Sequence, residues 1–173
     1  MNRIAKFEKV SFDQWAKDMD TCGLAKCCEE AGLRKMYDDI CLPKRATKGS
    51  SGYDFKSPFS FSLRPGETIT VPTGIRCRID DGWWLMCMPK SGQGFKYRLQ
   101  LDNTIGNIDS DYYYSTKNEG HIMAKITNDG HEGKTVTIDT GDGFMQGVFT
   151  VFGITEDDDA DGVRNGGFGS TGK

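Results

Sequence analysis

Ile69-Thr70-Val71-Pro72-Thr73-Gly74-Ile75-Arg76-Cys77-Arg78-Ile79 decides the class of fold. Ile69 and Val71 alternate with Thr, and Ile75, Cys77 and Ile79 alternate with Arg76 and Arg78. Successive side chains of a strand point to opposite faces, so a period of two reads as strand with one apolar and one wet face. Pro72-Thr73-Gly74 reads as a turn between two such strands. The period returns downstream: Ile122, Ala124 and Ile126 alternate with Met123 and Lys125, and Val136 and Ile138 alternate with Thr. Pro65-Gly66, Asp81-Gly82, Asn128-Asp129-Gly130 and Thr140-Gly141-Asp142-Gly143 punctuate the runs as turns. From Pro43 onward the chain reads as many short strands, an all-β sandwich or barrel. No strand–helix–strand alternation appears, which argues against a doubly wound fold.

Upstream the period changes. Ser11 with Gln14 three residues on fits a capping box, and Val10 and Trp15 are spaced for a hydrophobic staple. Phe12, Trp15, Met19 and Cys22 recur at helical spacing, while Gly23 and Gly32 interrupt it. Residues 1–41 therefore read as a partly helical extension of one or two short helices. The domain proper spans 42–155. From Glu156 the chain turns acidic and then glycine-rich, so 156–173 reads as a mobile arm.

The chain has 173 residues, 36% of them hydrophobic, with 22 Gly and a formal net charge of −3. That is one domain with a thin core, and a thin core favours an oligomer. No apolar run is long enough to span a membrane, and the N-terminus lacks the apolar region of a signal peptide. The expectation is a cytoplasmic protein with no membrane association. The acidic balance argues against direct nucleic-acid binding, which needs a basic field. Six cysteines, at 22, 27, 28, 41, 77 and 87, contain no Cys-x-x-Cys pair and read as reduced thiols.

Three segments carry chemistry. Pro89-Lys90-Ser91-Gly92-Gln93-Gly94 follows an apolar strand and offers a cation, a hydroxyl and flexible N–H groups to a phosphate. In Asn103 to Tyr112, Asp109 and Asp111 stand two residues apart and, on an extended strand, share a face. One of them can act as general base toward a water, and Tyr112 offers a ring to a sugar or base. In the tail, Phe168 stands among glycines with Ser170 and Thr171, a segment able to close over a bound ring and reach phosphate oxygens. Two look-alikes fail. Gly167 to Lys173 spells most of a P-loop, but no Ser/Thr and no helix follow. Asp157, Asp159 and Asp161 open like an EF-hand loop, but Phe168 stands at position twelve.

Taken in order, these segments resemble the five motifs of the homotrimeric dUTPase family. They are Ser51-Gly52-Tyr53-Asp54-Phe55, Pro89-Lys90-Ser91-Gly92, Gly106 to Tyr112, Gly141-Asp142-Gly143-Phe144-Met145-Gln146, and the tail. The resemblance covers residues 42–173. It implies a jelly-roll subunit, a trimer with three shared active sites, and hydrolysis of dUTP to dUMP and pyrophosphate. Such a reaction keeps uracil out of DNA and supplies dUMP. By position, Asp109 would orient and deprotonate the water that attacks the α-phosphorus. Tyr112 would pack under the deoxyribose. Asn103 would read the uracil edge with the nearby hairpin, and Asn107, Ile108 and Met123 would also bind substrate. Lys90, Ser91, Gly92 and Gln146 would hold phosphates, and Arg164, Phe168, Gly169, Ser170 and Thr171 would bind substrate from the tail. Mg2+ would sit mainly on the triphosphate, with Asp54 acting through water.

The chain departs from the family pattern at four places. Lys90 stands where Arg is usual, and seven residues (113–119) rather than one separate Tyr112 from Gly120. Arg164 lies one residue nearer the paired glycines than the family's arginine, and residues 1–41 have no counterpart. The last point supports a second reading: a catalytically weak dUTP-binding sensor whose N-terminal extension meets a protein partner. A dCTP deaminase on the same scaffold ranks below both, because its catalytic Glu motif is missing.

Overall fold

In the computed structural model, which describes residues 2–26, 28–164 and 167, the deciding stretch is not two strands. Thr68–Ile79 forms one strand of 12 residues, β5. Pro72-Thr73-Gly74 is a bulge in its pairing with Ile122–Asn128 (β9), where the register shifts between Pro72 and Ile75. Buried side chains explain why the expected turn is pulled straight. The Thr73 hydroxyl donates to Ile122 O at 2.6 Å, and the Gly74 N–H donates to His121 Nε2 at 2.8 Å. Gly74 sits at φ +74°, and a Cβ there would collide with Ile40. Only glycine meets both demands.

The remaining elements are β1 (Ala5–Lys9), α1 (Phe12–Thr21), α2 (Glu30–Asp38), β2 (Lys44–Arg45), β3 (Tyr53–Lys56), β4 (Phe61–Leu63), β6 (Trp83–Pro89), α3 (Ser91–Tyr97), β7 (Leu99–Leu101), β8 (Gly106–Ile108), β10 (Val136–Ile138) and β11 (Gly143–Val151). They make three antiparallel sheets, ordered β1-β5-β9-β7, β2-β3-β11-β6-β8 and β10-β4. The architecture is all-β and jelly-roll-like, and its core is one cluster. Ile75, Cys77, Ile79, Ile122, Ala124 and Ile126 from one sheet join Phe55, Leu85, Cys87 and Met145 from the other. Those of the first sheet are the inward halves of the alternating runs, which is how the period of two becomes a core.

Residues 1–41 share that core. β1, which no periodicity announced, pairs along β5 from Ala5↔Ile79 to Lys9↔Ile75. Phe7 packs edge-on to Phe55 with centroids 5.6 Å apart. Val10, Trp15 and Met19 are all buried, and Trp15 Nε1 donates to Pro72 O at 3.1 Å. The capping box is only half formed. Ser11 Oγ accepts from Gln14 N at 3.1 Å, but the Gln14 side chain turns away to Asp18 at 2.9 Å. The Ser11 N–H goes instead to the carboxylate of Glu119, 108 residues away, at 2.8 Å. A charged acceptor outcompetes a neutral amide for that donor.

Candidate active site

Two clusters carry the predicted site residues, and the pleat of the five-stranded sheet separates them. On β11, Met145, Gly147 and Phe149 face the core, so Gln146 faces away from it. The register sets Gln146 opposite both Asp54 and Met88. Directly opposed residues share a face, so Asp54 and Gln146 stand together on the outer side. Lys90 joins them, with Nζ donating to Asp54 Oδ2 at 2.9 Å. Lys90 also caps α3, where Gln93 N and Gly94 N bond its carbonyl at 3.0 Å. The N–H groups of Ser91 and Gly92 stand in the first turn, with no partner inside the helix. The expected turn after β6 is thus a short helix. Asn107 pairs with Met86 and takes the same outer face.

The second cluster lies on the inner side. A cavity of about 250 Å³ opens between the β7–β8 hairpin and β9, lined by Asn103, Ile108, Met123, Cys87, Leu101 and Met145 among others. Its walls are mainly apolar with polar hairpin groups at one end, which suits a flat heterocycle. Sequence reading overlooked Cys87 and Met145, because β6 is apolar throughout and β11 does not alternate, so no period marks their inward face. Burial pushes the Cys87 thiol up to about 12, so it serves as an unreactive apolar wall. Cys77 is likewise pushed up to about 12 by burial. The described cysteines are all free thiols; Cys27 lies outside the described residues.

Beyond β8 the backbone is not the extended strand expected from sequence. Asp109 is the N-cap of a single 3-10 turn, Ser110–Tyr112, and the Tyr112 N–H returns to Asp109 O at 3.2 Å. The two carboxylates still converge, through a cation. Arg164 Nη2 donates to Asp109 Oδ2, and its Nε donates to Asp111 Oδ1 at 2.7 Å. One guanidinium fork therefore bridges both acids and offsets one of their two charges.

Tyr112 is 6% exposed. Its hydroxyl donates to His121 O at 2.9 Å and accepts from Asn118 Nδ2 at 2.7 Å. Burial raises the pKa of that hydroxyl, and the Asn118 bond offsets part of the rise. The tail backbone runs against the ring, for a Cβ on Gly167 would lie 2.8 Å from Tyr112 Cε2. Phe168, Gly169, Ser170 and Thr171 lie outside the described residues.

The extra loop 113–119 is folded onto itself and onto the N-terminal segment. Glu119 N bonds Ser115 O at 2.8 Å, and His121 N bonds Asn118 O at 2.9 Å. Gly120, at φ +75°, closes the loop where a Cβ would strike the Tyr112 carbonyl. Arg76, 9% exposed, reaches up from β5 between Glu119 at 2.8 Å and the Tyr114 hydroxyl at 2.6 Å.

Among the described residues no group of three or more His, Cys, Asp or Glu could hold a metal ion, and no helix is long and apolar enough to cross a membrane. Asp54, beside Lys90 and Gln146, is a carboxylate placed to meet a divalent ion carried on a phosphate chain. That fits magnesium, which keeps its waters and takes one or two carboxylates plus phosphates.

An antiparallel jelly roll with a largely apolar cavity on one side of its sheet and a Lys90–Asp54 pair on the other defines the class, an all-β jelly-roll subunit. The dUTPase family model matches residues 38–172, and the chain belongs to that family. It is 38% identical over 135 residues to the deoxyuridine 5'-triphosphate nucleotidohydrolase of Lactococcus lactis, covering 77% of this chain and 89% of that one. It is 36% identical over 147 residues to the enzyme of the same name from Hahella chejuensis, covering 80% and 91%. The fold matches the crystal structure of the Streptococcus mutans dUTPase with a TM-score of 0.61 at 36% identity, over 69% of this chain and 91% of that one. A dUTPase from phage phi11 of S. aureus shares the fold over 92% of this chain and 97% of its own, with a TM-score of 0.62 at 18% identity.

Proposed function

We propose that this protein hydrolyses dUTP to dUMP and pyrophosphate. Family membership supports the reaction, and one observation carries the assignment of roles. Within ten consecutive residues, 103–112, a single hairpin and turn supply an edge of the cavity, the Asp109 carboxylate and the Tyr112 ring. The cavity takes uracil, with Asn103 at its polar end. Tyr112 lies under the deoxyribose and leaves no room for a 2′-hydroxyl. Asp109 accepts a proton from water as the oxygen attacks the α-phosphorus. The bond from that phosphorus to its bridging oxygen breaks, and pyrophosphate leaves with the electron pair. Arg164 holds Asp109 and Asp111 together until a triphosphate competes for its guanidinium. Lys90, Gln146 and the N–H groups of Ser91 and Gly92 bind the phosphate chain. Magnesium, when bound, neutralises charge developing on the phosphate oxygens, and Asp54 would hold it through water.

The opposite facing of the two clusters supports shared sites. Asp54 and Gln146 face away from the cavity of their own chain, so a complete site combines the outer cluster of one subunit with the cavity of another. A homotrimer meets that need, and Phe168 with Gly169, Ser170 and Thr171 would close the tail over the bound nucleotide. The expected location is cytoplasmic.

The test is pyrophosphate release from dUTP, dTTP, dCTP and UTP, each with and without Mg2+. Release from dUTP alone, dependent on magnesium, is expected. Binding of dUTP with no release from any nucleotide would replace this reading with that of a sensor.

A further inference from the structure

The residues that set the position of Tyr112 lead to the N-terminal segment. Its hydroxyl rests on the main-chain carbonyl of His121, whose side chain is fully buried. The Gly74 N–H can only donate, so His121 Nε2 is an acceptor and the imidazole is neutral, with its proton on Nδ1. Nδ1 then donates to Asp18 Oδ2 at 2.5 Å, and Gln14 Nε2 donates to the same oxygen at 2.9 Å. Asp18 belongs to α1 and is itself buried. Two further contacts grip the loop between Tyr112 and His121. Ser11 of the N-terminal segment holds Glu119 through both its N–H and its hydroxyl, and Glu8 accepts from the Tyr113 hydroxyl at 2.7 Å. The extension and the enlarged loop thus interlock, beside the ring that faces the sugar.

We infer that Asp18 and His121 are positioning residues for Tyr112, so that the N-terminal helix sets the discrimination between deoxyribose and ribose. This rests on the proposed role of Tyr112. The physical reason is that a ring held by its hydroxyl moves when the accepting carbonyl moves. That carbonyl is fixed by an imidazole clamped at both nitrogens. Loss of the Asp18 acceptor leaves a buried N–H unpaired, and the ring, carbonyl and tyrosine shift together.

The experiment compares wild type, Asp18→Ala, Asp18→Asn, Tyr112→Phe and the Asp18→Ala/Tyr112→Phe double variant in the full chain. It measures kcat/KM for dUTP and UTP, calorimetric binding of dUMP and UMP, and Tm. Asp18→Ala is expected to narrow the deoxyribose preference about tenfold, in both rates and monophosphate binding, the scale of coupling within one hydrogen-bonded network. Asp18→Asn still accepts from Nδ1–H and should restore most of the preference. Tyr112→Phe cuts the link at its other end while keeping the ring, so the double variant should lose little more than either single one. A drop in Tm with both substrates affected equally would overturn the inference, and so would additive losses in the double variant. A wild-type protein with no preference for dUTP would instead overturn the proposed function itself.

Discussion

Asp54 and Gln146 meet because two neighbouring strands are in register, whereas Tyr112 is held by residues drawn from four separate parts of the chain. The outer cluster needs only β3 beside β11 and a lysine at the end of β6. Tyr112 needs the 113–121 loop, a bulge in β5, a helix from the N-terminus and the tail. The first kind of site is set by pleat and pairing and stays partly open to solvent. The second is buried, and loss of one partner there costs far more than loss of a surface contact would. The contrast suits their proposed tasks. Phosphate binding needs charge and donors. Rejecting a single hydroxyl on a sugar needs a rigid wall.

The comparison can be broken most sharply at Asp109. Asp109→Asn removes the base but preserves shape, and turnover should fall about 10²–10⁴-fold while dUTP binding survives. Equal loss of binding would make Asp109 part of the scaffold. Trp15→Ala asks whether the N-terminal segment belongs to the buried region. Trp15 is fully buried and bonded to the bulge, so its loss should cost about 3–5 kcal/mol in denaturant unfolding. A cost near that of a surface substitution would return residues 1–41 to the status of an appendage.

The outer cluster is probed by Lys90→Ala, with an expected rise in KM for dUTP of about tenfold, typical of one lost charged contact. Mixed with Asp109→Asn subunits and reassembled, Lys90→Ala protein should regain activity above either parent. Each intact half-site then meets its complement. Without such recovery, the two clusters act within one chain.

The smallest effect is with acid. Burial tends to raise Asp18, but the bonds from His121 and Gln14 outweigh it and hold the carboxyl below its ordinary 3.8; Lys17 adds to the lowering. Burial likewise opposes the lowering of Glu119 from 4.5, which the bonds from Ser11 and the charge of Arg76 bring about. Both carboxyls are therefore more acidic folded than unfolded. The stability they add is complete above about pH 4.5 and is lost as the pH falls through their depressed values. Thermal unfolding followed from pH 7 downward should show that loss, and Asp18→Asn should flatten it.

Much of this was legible in order and spacing. Ile75, Cys77 and Ile79 are buried as their alternation requires, and Asp54, Lys90 and Gln146 come together although 36 and 92 residues separate Asp54 from the other two. Pro72-Thr73-Gly74 misled because proline and glycine announce a break in ideal strand. A bulge is such a break, and buried bonds from His121 and Ile122 selected it over a turn. Arg76 carried no sign of burial, since its side of the strand is wet until the 113–119 loop covers it. Gln14 matched its capping rule and went elsewhere, because the Glu119 carboxylate is a stronger acceptor for the Ser11 N–H than a neutral amide.

By itself the sequence determined the strand period, the family and the residue types at each motif, since these are properties of neighbours along the chain. Only the tertiary structure decided that the two halves of the proposed site face opposite ways. It also decided that β1 joins the main sheet and that Asp18, His121 and Tyr112 form one line of hydrogen bonds. These depend on contacts across 103 residues and on which buried polar groups find each other once water is excluded.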